Sequence, residues 1–513
     1  MYCWVTSMGL SGIDSYPVTV EVNLRRGMPH FEVVGLPDIA VKESRDRVRA
    51  AMGNLGYPLP DAQIVVNLAP ADTRKSGPLY DLPILLGILK ASGQCELPLE
   101  QSAFVGELSL DGRLRPVSGV LSMVMAARDH GCKRVFIPYE NAAEGSVAQQ
   151  ISVYPVRHVT EIIEGLTGRM PLTTADQMQF EPPLMPPVPD FSEVRGQENA
   201  KRAIEVAAAG GHNVLLIGPP GTGKSMLAKR LPSILPSLSF DEAVETTKIH
   251  SVSGALPKGQ ALLSAPPFRA PHHSLSTAGL TGGGTNPRPG EISLAHNGVL
   301  FLDELPEFQK GAMEALRQPL EDGHVTISRV NARVTYPSEF MLVAAMNPCP
   351  CGYFGHPTTP CRCSPTKIAL YLNRISGPLL DRLDIHVEMP PVDYKQMSSD
   401  RCGESSAVIR ARVTAARALQ RQRYAEEGIG CNARLTPGLL RRYCHLTQDG
   451  DQLLAAVYDK LGFSGRSYDR LLKVSRTIAD LDGSEQIKAD HLAEAIQYRN
   501  LDRKYWRKDV SEL

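Results

Sequence analysis

The chain has 513 residues, and its 55 Lys or Arg residues balance its 55 Asp or Glu residues to a formal net charge of zero. This balance excludes a global basic field that would attract nucleic acid, so any contact with nucleic acid must be local. The length corresponds to about three domains of typical size. The start lacks a basic region followed by an apolar core, and no run approaches the roughly 18 apolar residues of a membrane span. We therefore expect a soluble, cytoplasmic protein without a membrane partner.

Proline divides the chain into regions of different character. Residues 176–190 form a predicted Pro-rich linker, with a composition typical of stiff, extended segments. Before it lies a predicted first domain, residues 1–175. After it, residues 191–392 alternate strand-like and helix-like segments, which predicts an α/β core around a parallel sheet. Residues 393–513 have a helical pattern and predict a lid domain.

The first domain contains segments that resemble the proteolytic domain of Lon protease, namely residues 105–117 and 133–138. Residues 75–78 also match the stretch that immediately precedes the nucleophilic serine of Lon. In this sequence the serine position is Leu79, and the position of the catalytic lysine is Leu121. A Ser–Lys dyad needs both a nucleophile and a base. The resemblance therefore implies a Lon-like α+β fold without proteolytic chemistry.

Residues 218–225 match the full P-loop pattern G-x-x-x-x-G-K-[ST]. They follow the apolar run 214–217 and precede a helix-like segment, which is the strand–turn–helix context that phosphate binding requires. Glycines let backbone N–H groups approach the phosphates of ATP, Lys224 reaches the β- and γ-phosphates, and the Ser225 hydroxyl ligates Mg²⁺. The predicted ATP-binding residues are Gly218, Pro219, Pro220, Gly221, Thr222, Gly223, Lys224 and Ser225.

Two arginine-bearing segments are candidate DNA contacts. Residues 268–276 lead into a glycine run, and a glycine-rich loop with Arg and His side chains suits a phosphate backbone, so Arg269 is one candidate. Residues 325–336 read as two β-like runs around a turn, with Arg329 and Arg333. For both segments, a solvated loop or packing at a subunit interface is the alternative.

Two further strand-like runs end in polar residues. Residues 299–302 are apolar and run into Asp303 and Glu304, so Asp303 is placed to hold the Mg²⁺ shell and Glu304 to polarise the attacking water. A buried strand that ends in a solvated acidic turn is the alternative. Residues 340–346 end at Asn347, which is placed to orient the water or to sense the γ-phosphate.

A Pro/Gly-rich loop at residues 349–363 contains four cysteines in two C-x-C pairs. In a cytosolic protein such a cluster favours metal over disulfides, and four thiolates suit a tetrahedral, structural Zn²⁺. A reduced metal-free loop and a redox-sensitive cluster are the alternatives, and His356 is a spare ligand. The predicted zinc ligands are Cys349, Cys351, Cys361 and Cys363.

Arg382 lies between apolar residues in the segment 379–385. An arginine finger, which one subunit supplies to the nucleotide site of its neighbour, has this setting. An ion pair within the chain is the alternative.

The order of these motifs resembles that of the AAA+ ATPases, and residues 289–305 resemble the signature of their magnesium-chelatase-like branch. Residues 464–470 resemble the sensor-2 helix of that branch, which implies that Arg466, with Arg470 as second choice, contacts nucleotide. The whole chain is similar to the YifB/ComM group of bacterial ATPases. The resemblance implies an AAA+ core, a homo-hexameric ring, and pore loops at the two arginine-bearing segments.

Two functions are compatible with these features. The YifB/ComM resemblance implies a ring motor that uses ATP to translocate on single-stranded or branched DNA in its pore. Such a motor would serve as a helicase or branch-migration enzyme, together with recombination proteins, on DNA taken up in natural transformation. The alternative is a chelatase-like or protein-remodelling ATPase that acts on a protein partner. The neutral charge balance does not decide between DNA and protein.

Overall fold

The computed structural model describes residues 1–178, 180, 189–284, 287–329, 332–392, 403–461 and 465–506. The predicted proline-rich stretch at 181–188 and the predicted start of the lid at 393–402 lie outside the described residues. The chain divides into two compact units: Met1–Glu181 with Phe240–Leu263, and Pro182–Ser239 with Ser264–Leu513.

The strands have the alternating or continuous apolar patterns of half-buried and fully buried strands. In chain order they are β1 (Tyr2–Ser11), β2 (Asp14–Arg25), β3 (His30–Val34), β4 (Gln63–Ala69), β5 (Ser102–Phe104), β6 (Glu107–Leu108), β7 (Leu114–Arg115), β8 (Arg134–Pro138), β9 (Ser152–Val156), β10 (Val214–Ile217), β11 (Phe268–Arg269), β12 (Gly282–Gly283), β13 (Arg288–Pro289), β14 (Gly298–Leu302), β15 (His324–Arg329), β16 (Ala332–Pro337), β17 (Phe340–Met346) and β18 (Ile385–Glu388).

The α-helices are interspersed among the strands up to β18, and beyond it the described α-helices follow one another. In chain order they are α1 (Ile39–Lys42), α2 (Ser44–Asn54), α3 (Asp81–Ala91), α4 (Val120–Asp129), α5 (Ala142–Gly145), α6 (Val159–Leu166), α7 (Glu198–Gly210), α8 (Lys224–Arg230), α9 (Phe240–Ser253), α10 (Thr277–Thr281), α11 (Glu291–Leu294), α12 (Lys310–Ala315), α13 (Arg317–Asp322), α14 (Pro365–Leu372), α15 (Gly377–Leu380), α16 (Ser406–Arg423), α17 (Pro437–Tyr443), α18 (Gln448–Leu461), α19 (Gly465–Leu481), α20 (Ala489–Gln497) and α21 (Asn500–Tyr505).

The first unit is built on a mixed sheet with the strand order β3-β4-β2-β1-β5-β8-β9. β1 pairs antiparallel with β2 and parallel with β5. Val18, Val20 and Val22 alternate along β2 and are buried, because α3 and α4 pack against β1 and β2. This alternation is what a sheet with one covered face requires.

The second unit is built on a parallel sheet with the strand order β11-β14-β17-β10-β18. β10, β14 and β17 are buried along their whole length, as expected at the centre of a parallel sheet. Beyond β18 the described chain is helical, and α16 and α19 pack against α7. The predicted fold class, α/β with a parallel-sheet core and a helical C-terminal region, is confirmed.

One segment departs from the predicted domain limits. α9 and the residues up to Leu263 fall within the range 191–392, yet they pack in the first unit. The reason is local, because α9 contacts α4 and the Ser251 Oγ accepts a hydrogen bond from the Gly119 N–H at 2.8 Å. The remaining predicted limits stay predictions.

None of the helices in the described part of the chain has the length and apolar character of a membrane span.

Candidate nucleotide site and cysteine cluster

The P-loop connects β10 to α8 at the carboxyl edge of the parallel sheet. Gly221 and Gly223 have φ angles of +78° and +89°, which lie in the left-handed region that favours glycine. Gly223 is also the N-cap of α8. Gly221 and Gly223 are therefore required by the backbone of this turn, which lies at a helix N-terminus, the setting in which proteins bind phosphate.

The Lys224 side chain is buried within this loop. Its Nζ donates to the carbonyl oxygens of Gly218 and Pro219 at 2.7 and 2.8 Å and to the Asn347 Oδ1 at 3.2 Å. Burial lowers the pKa of Lys224 to about 8, although the two carboxylates that follow β14 act in the opposite direction. The loop thus holds its amine next to the amide that ends β17.

The predicted Mg²⁺ ligands contact each other. The Ser225 Oγ donates to the Asp303 Oδ2 at 2.6 Å, and the Asp303 Oδ1 accepts from the Glu304 N–H at 3.0 Å. Glu304 has a φ of +52°, and its carboxylate is more than half exposed. Hydroxyl and carboxylate oxygens are the ligands that Mg²⁺ takes from protein. The carboxyl edge therefore gathers a phosphate loop, a candidate Mg²⁺ pair and an accessible carboxylate.

His273 also lies at this edge, although it was not predicted from the sequence to belong to the nucleotide site. Its Nδ1 is 3.6 Å from the Glu304 Oε2. β11 and β14 pair in parallel with Phe268 opposite Val299, so the same register carried forward brings His273 level with Glu304. β11 has only two residues, which is too short for a strand pattern in the sequence.

Arg382, the predicted arginine finger, contacts groups of its own chain. Its guanidinium donates to Glu321 and, at 2.6 Å, to the Pro378 carbonyl oxygen. The Asn213 side chain in turn donates to the Arg382 carbonyl oxygen at 2.9 Å. The ion pair within the chain, considered as the alternative for this residue, is thus present.

A cavity of about 420 Å³ contains Arg382 and several other charged residues. Asn213, which precedes β10, and Phe340, which begins β17, line it, so the cavity lies at the amino edge of the sheet. Arg470 pairs there with Asp381 at 3.7 Å. The basic residues that line the cavity are Arg382, Arg434, Arg466, Arg470 and Lys473.

The two edges of the sheet separate the predicted nucleotide contacts into two groups. β10 has four residues, which span about 13 Å between its amino and carboxyl ends. None of the P-loop residues, all of which the structure describes, is among those that line the cavity. Arg382 and Arg466 are therefore brought together with each other and not with the P-loop of their own chain.

The four cysteines of the loop after Asn347 converge. Their sulfur atoms all lie within 4.8 Å of one another, and the Sγ–Sγ distances among Cys349, Cys351 and Cys361 are 3.4, 3.6 and 3.7 Å. Four sulfurs bound tetrahedrally to Zn²⁺ lie about 3.8 Å apart, whereas a disulfide is about 2 Å long. The set thus fits a zinc ion better than it fits disulfides, and its members are Cys349, Cys351, Cys361 and Cys363.

The environments of these thiols differ. Burial raises the pKa of Cys349 to about 12. Burial also acts to raise the pKa of Cys351, but hydrogen bonds from the backbone of Arg362 and Tyr353 and from neighbouring thiols together outweigh it and lower that pKa to about 6. The spare ligand, His356, is not among the converging groups: its Nδ1 accepts from the backbone N–H of Thr359 at 2.9 Å.

The predicted DNA contacts differ in exposure. Arg269 forms a double hydrogen bond with the Glu291 carboxylate at 2.6 and 2.7 Å, so its charge is already matched. Arg329 and Arg333 are exposed on the β15–β16 hairpin, whose turn at residues 330–331 lies outside the described residues. Arg329 also lies against the glycine run, since a Cβ on Gly283 would be 3.2 Å from its Nη2.

The two positions that match the Lon dyad are buried leucines in the first unit. Leu79 is 6% exposed and Leu121 is fully buried. The Leu121 N–H donates to the Glu144 Oε1 at 2.7 Å, so this position now serves a backbone contact. Lys75, four residues before Leu79, is also buried, and its Nζ donates to the Thr73 carbonyl oxygen at 2.8 Å.

Comparison with protein families covers most of the chain. Residues 190–397 match the family described as magnesium chelatase, subunit ChlI. Residues 20–141 match subunit ChlI of Mg-chelatase, and residues 403–499 match the C-terminal part of magnesium chelatase subunit ChlI.

Individual relatives extend over nearly the full length. The chain is 45% identical to the uncharacterized protein YifB of Salmonella typhimurium, over 96% of both proteins. It is 46% identical to the competence protein ComM of Haemophilus influenzae, over 96% of this chain and 97% of that protein. A separate, partial similarity is to the Lon protease of Brucella suis, 28% identical over 36% of this chain and 24% of the protease.

Proposed function

Because this chain belongs to the YifB/ComM family of magnesium-chelatase-like proteins, and is an ATPase of that kind, we propose that it is a ring motor that translocates on DNA. Its activity would be helicase action or branch migration during recombination of DNA taken up by natural transformation. The observation that carries this proposal is the 46% identity, along almost the whole length, to a protein named for competence. Recombination proteins are its proposed partners, and the cytoplasm is its proposed location.

We assign the steps of ATP binding and hydrolysis to residues predicted from the sequence that lie at the carboxyl edge of the sheet. The P-loop backbone and Lys224 bind the phosphates, and Asn347, 3.2 Å from the Lys224 Nζ, orients the water or senses the γ-phosphate. Ser225 and Asp303, in contact at 2.6 Å, hold Mg²⁺, which neutralises charge on the phosphate oxygens when bound. Glu304 positions the attacking water as general base.

The cavity at the amino edge of the sheet is the structural observation that favours a ring of subunits. Arg382 and Arg466 line one cavity that contains none of the P-loop residues, which favours contact with the nucleotide of another subunit. A neighbouring subunit that docks its nucleotide at this cavity would receive both arginines. We therefore assign Arg382 as the arginine finger and Arg466 as a second cation supplied between subunits of a homo-hexamer.

We assign the four-cysteine cluster to a structural Zn²⁺. Sulfur separations of 3.4 to 3.7 Å support this choice, and four thiolates leave no open position for catalysis. We assign residues 1–175 as a non-proteolytic Lon-like domain and residues 393–513 as a lid.

The DNA-binding role falls first on the β15–β16 hairpin. Arg329 and Arg333 are exposed, whereas Arg269 is held by Glu291 and would contact DNA only if that pair opened. Phosphate contacts depend on charge, so binding should weaken steeply with salt and show little sequence preference.

The test is a comparison of ATPase rates with no DNA, single-stranded DNA, duplex DNA and a four-way junction. We expect stimulation by DNA and conversion of the junction to duplex products only with hydrolysable ATP. Replacing Arg329 and Arg333 with Ala should remove the stimulation and leave the basal rate intact. The matched control replaces Thr326 and Thr335 of the same hairpin, whose hydroxyls are 3.1 Å apart, and keeps both charges.

No response to any DNA form and no junction movement would favour the alternative, a chelatase-like or protein-remodelling ATPase. The magnesium-chelatase matches along the chain are the observation that supports that second function.

A further inference from the structure

The loop that carries the four cysteines, residues 349–363, is called the cysteine loop below. It contacts the P-loop through Gly352 and Pro220. Gly352, the residue after Cys351, is buried and has a φ of +84°. A Cβ built on Gly352 would lie 2.5 Å from the Pro220 Cδ and 2.8 Å from its Cγ. No L side chain fits such a gap without displacing its neighbour. The backbone of the cysteine loop is therefore in direct contact with the nucleotide-binding loop.

A hydrogen bond within the cysteine loop fixes the position of Gly352. The Gly352 N–H donates to the Cys349 carbonyl oxygen at 3.0 Å, which closes a tight turn between two of the four cysteines. Residues 350–364 contain neither helix nor strand, so the hydrogen bonds of regular secondary structure do not hold this turn in place. A metal that joins Cys349 and Cys351 to Cys361 and Cys363 would remove much of the conformational freedom of this loop.

The other side of the contact is close to the phosphate-binding groups. Pro220 is two residues from Gly218, whose N–H donates to the Met346 carbonyl oxygen at 3.2 Å at the end of β17. Lys224 donates to Asn347, and the cysteine loop begins two residues later. One short stretch of chain thus joins the amide of the nucleotide site to the first cysteine.

We propose that the four-cysteine cluster, with Zn²⁺ bound, braces the P-loop through the Gly352–Pro220 contact and thereby sets the affinity for ATP. The proposal rests on the zinc site proposed above and adds a role for it. The metal acts at a distance from the phosphates: it fixes the cysteine loop, and Gly352 fixes Pro220. Loss of the metal lets the P-loop depart from the conformation that binds phosphate.

The chain offers a matched pair of glycines for the test. Gly355 lies in the same loop, has a φ of +75°, and a Cβ there would have nothing within 4 Å. Gly352→Ala and Gly355→Ala therefore impose the same kind of backbone strain, but only Gly352→Ala places a methyl group against Pro220. In the full-length protein, we expect Gly352→Ala to weaken binding of a fluorescent ATP analogue by roughly tenfold, and Gly355→Ala to change it little.

A rescue variant distinguishes the contact from damage to the metal site. Pro220→Ala removes Cγ and Cδ, so Gly352→Ala combined with Pro220→Ala should bind ATP about as well as Pro220→Ala alone. Zinc per chain, measured by atomic absorption, should remain at that of the wild type in all four variants. If Gly352→Ala instead loses zinc and is not rescued, the brace is wrong.

Chelation of wild-type protein is the second measurement and does not depend on the folding of any variant. Removal of zinc should weaken ATP-analogue binding, and added Zn²⁺ should restore it. Chelated protein that binds ATP as tightly as zinc-loaded protein overturns the brace while leaving the zinc site in place. Protein that neither contains nor takes up zinc overturns both the zinc assignment and the brace, and leaves the ATPase assignment unaffected.

Discussion

The two units of this chain use polar side chains for different purposes. In the first unit, Glu144 is buried and accepts hydrogen bonds from the Leu121 N–H at 2.7 Å and from the Ser251 hydroxyl, so it holds the backbone of α4 and the side of α9. In the second unit, the polar groups at the carboxyl edge contact one another around the P-loop, as Ser225 and Asp303 do at 2.6 Å. The positions that match the Lon dyad are leucines in the first unit, whereas the second unit gathers the residues that we propose to act on ATP.

This division of roles separates activity from stability. Changes at the sheet edges of the second unit should remove ATP chemistry and leave the chain folded. Changes at the buried cluster of the first unit should lower stability and leave ATP chemistry near that of the wild type.

The largest effect is expected at the P-loop. Lys224→Ala removes the amine that is buried between the loop carbonyls and Asn347, so ATP binding or turnover should be abolished. Lys229→Ala, on the exposed face of the same helix, is the matched control and should behave like the wild type. Equilibrium binding of an ATP analogue and steady-state ATPase rates measure both variants. If the Lys224→Ala protein stayed active, the P-loop would not be the site of ATP binding.

The next effect concerns the amino edge. Arg382→Ala should leave ATP binding intact and reduce hydrolysis by about 10³-fold or more, if the arginine acts as the proposed finger on the nucleotide of a neighbouring subunit. Arg374→Ala is the control, since Arg374 also forms an ion pair within the chain, 2.9 Å from Glu307, but lies outside the residues that line the cavity. Binding and hydrolysis are measured separately on each variant.

A mixing experiment sharpens this expectation. In the proposed ring, Arg382→Ala and Glu304→Gln subunits each lack one half of a shared site, so mixed rings should recover hydrolysis at those interfaces where the intact halves meet. Hydrolysis that is insensitive to both dilution and Arg382 loss would mean that each chain is self-sufficient.

A smaller loss is expected at the general base. Glu304→Gln should bind ATP normally and hydrolyse it about 10²-fold more slowly, because the amide cannot accept the proton of the attacking water. Asp303 and the P-loop are unchanged, so the binding measurement is the internal control. Near-normal turnover would remove Glu304 from the proposed mechanism.

Contiguous patterns could be predicted from the sequence, and contacts between distant residues could not. The P-loop, the acidic pair after β14 and Asn347 each follow an apolar run, so their meeting at one sheet edge follows from parallel pairing. The pairing of Arg269 with Glu291, 22 residues away, and the approach of His273 to Glu304 depend on how short segments pack.

The same limit explains the misplaced segment and the second arginine group. α9 lies within the predicted ATPase range, but its contacts with α4 place it in the first unit. The separation of Arg466 from the P-loop follows from which edge of the sheet the C-terminal helices cover, and helical periodicity alone does not determine that edge.

The smallest predicted effect is at Glu144 and concerns stability alone. Glu144→Ala leaves the buried Leu121 N–H and Ser251 hydroxyl without their acceptor, which should cost about 1–3 kcal/mol of unfolding free energy. Glu144→Gln keeps a carbonyl acceptor and should cost less. Glu140→Ala, two residues before α5 and exposed, is the control. Thermal unfolding reports all three, and ATPase rates below the transition should stay near those of the wild type.

The pH dependence of the unfolding temperature tests the role of Glu144 more sharply than the unfolding temperature at a single pH. Burial raises the pKa of Glu144 above its ordinary value, although hydrogen bonds from Ser251, Leu121 and Asn141 act in the opposite direction. With a native pKa above the unfolded one, the folded chain binds more protons than the unfolded chain between the two values. Stability contributed by this group is therefore present below the unfolded pKa and is lost as the pH rises through the native pKa. Glu144→Gln cannot titrate, so its unfolding temperature should fall less than that of the wild type over the same rise in pH. Parallel curves for the two proteins would mean that the carboxylate stays ionised in the folded chain, with its three donors outweighing burial.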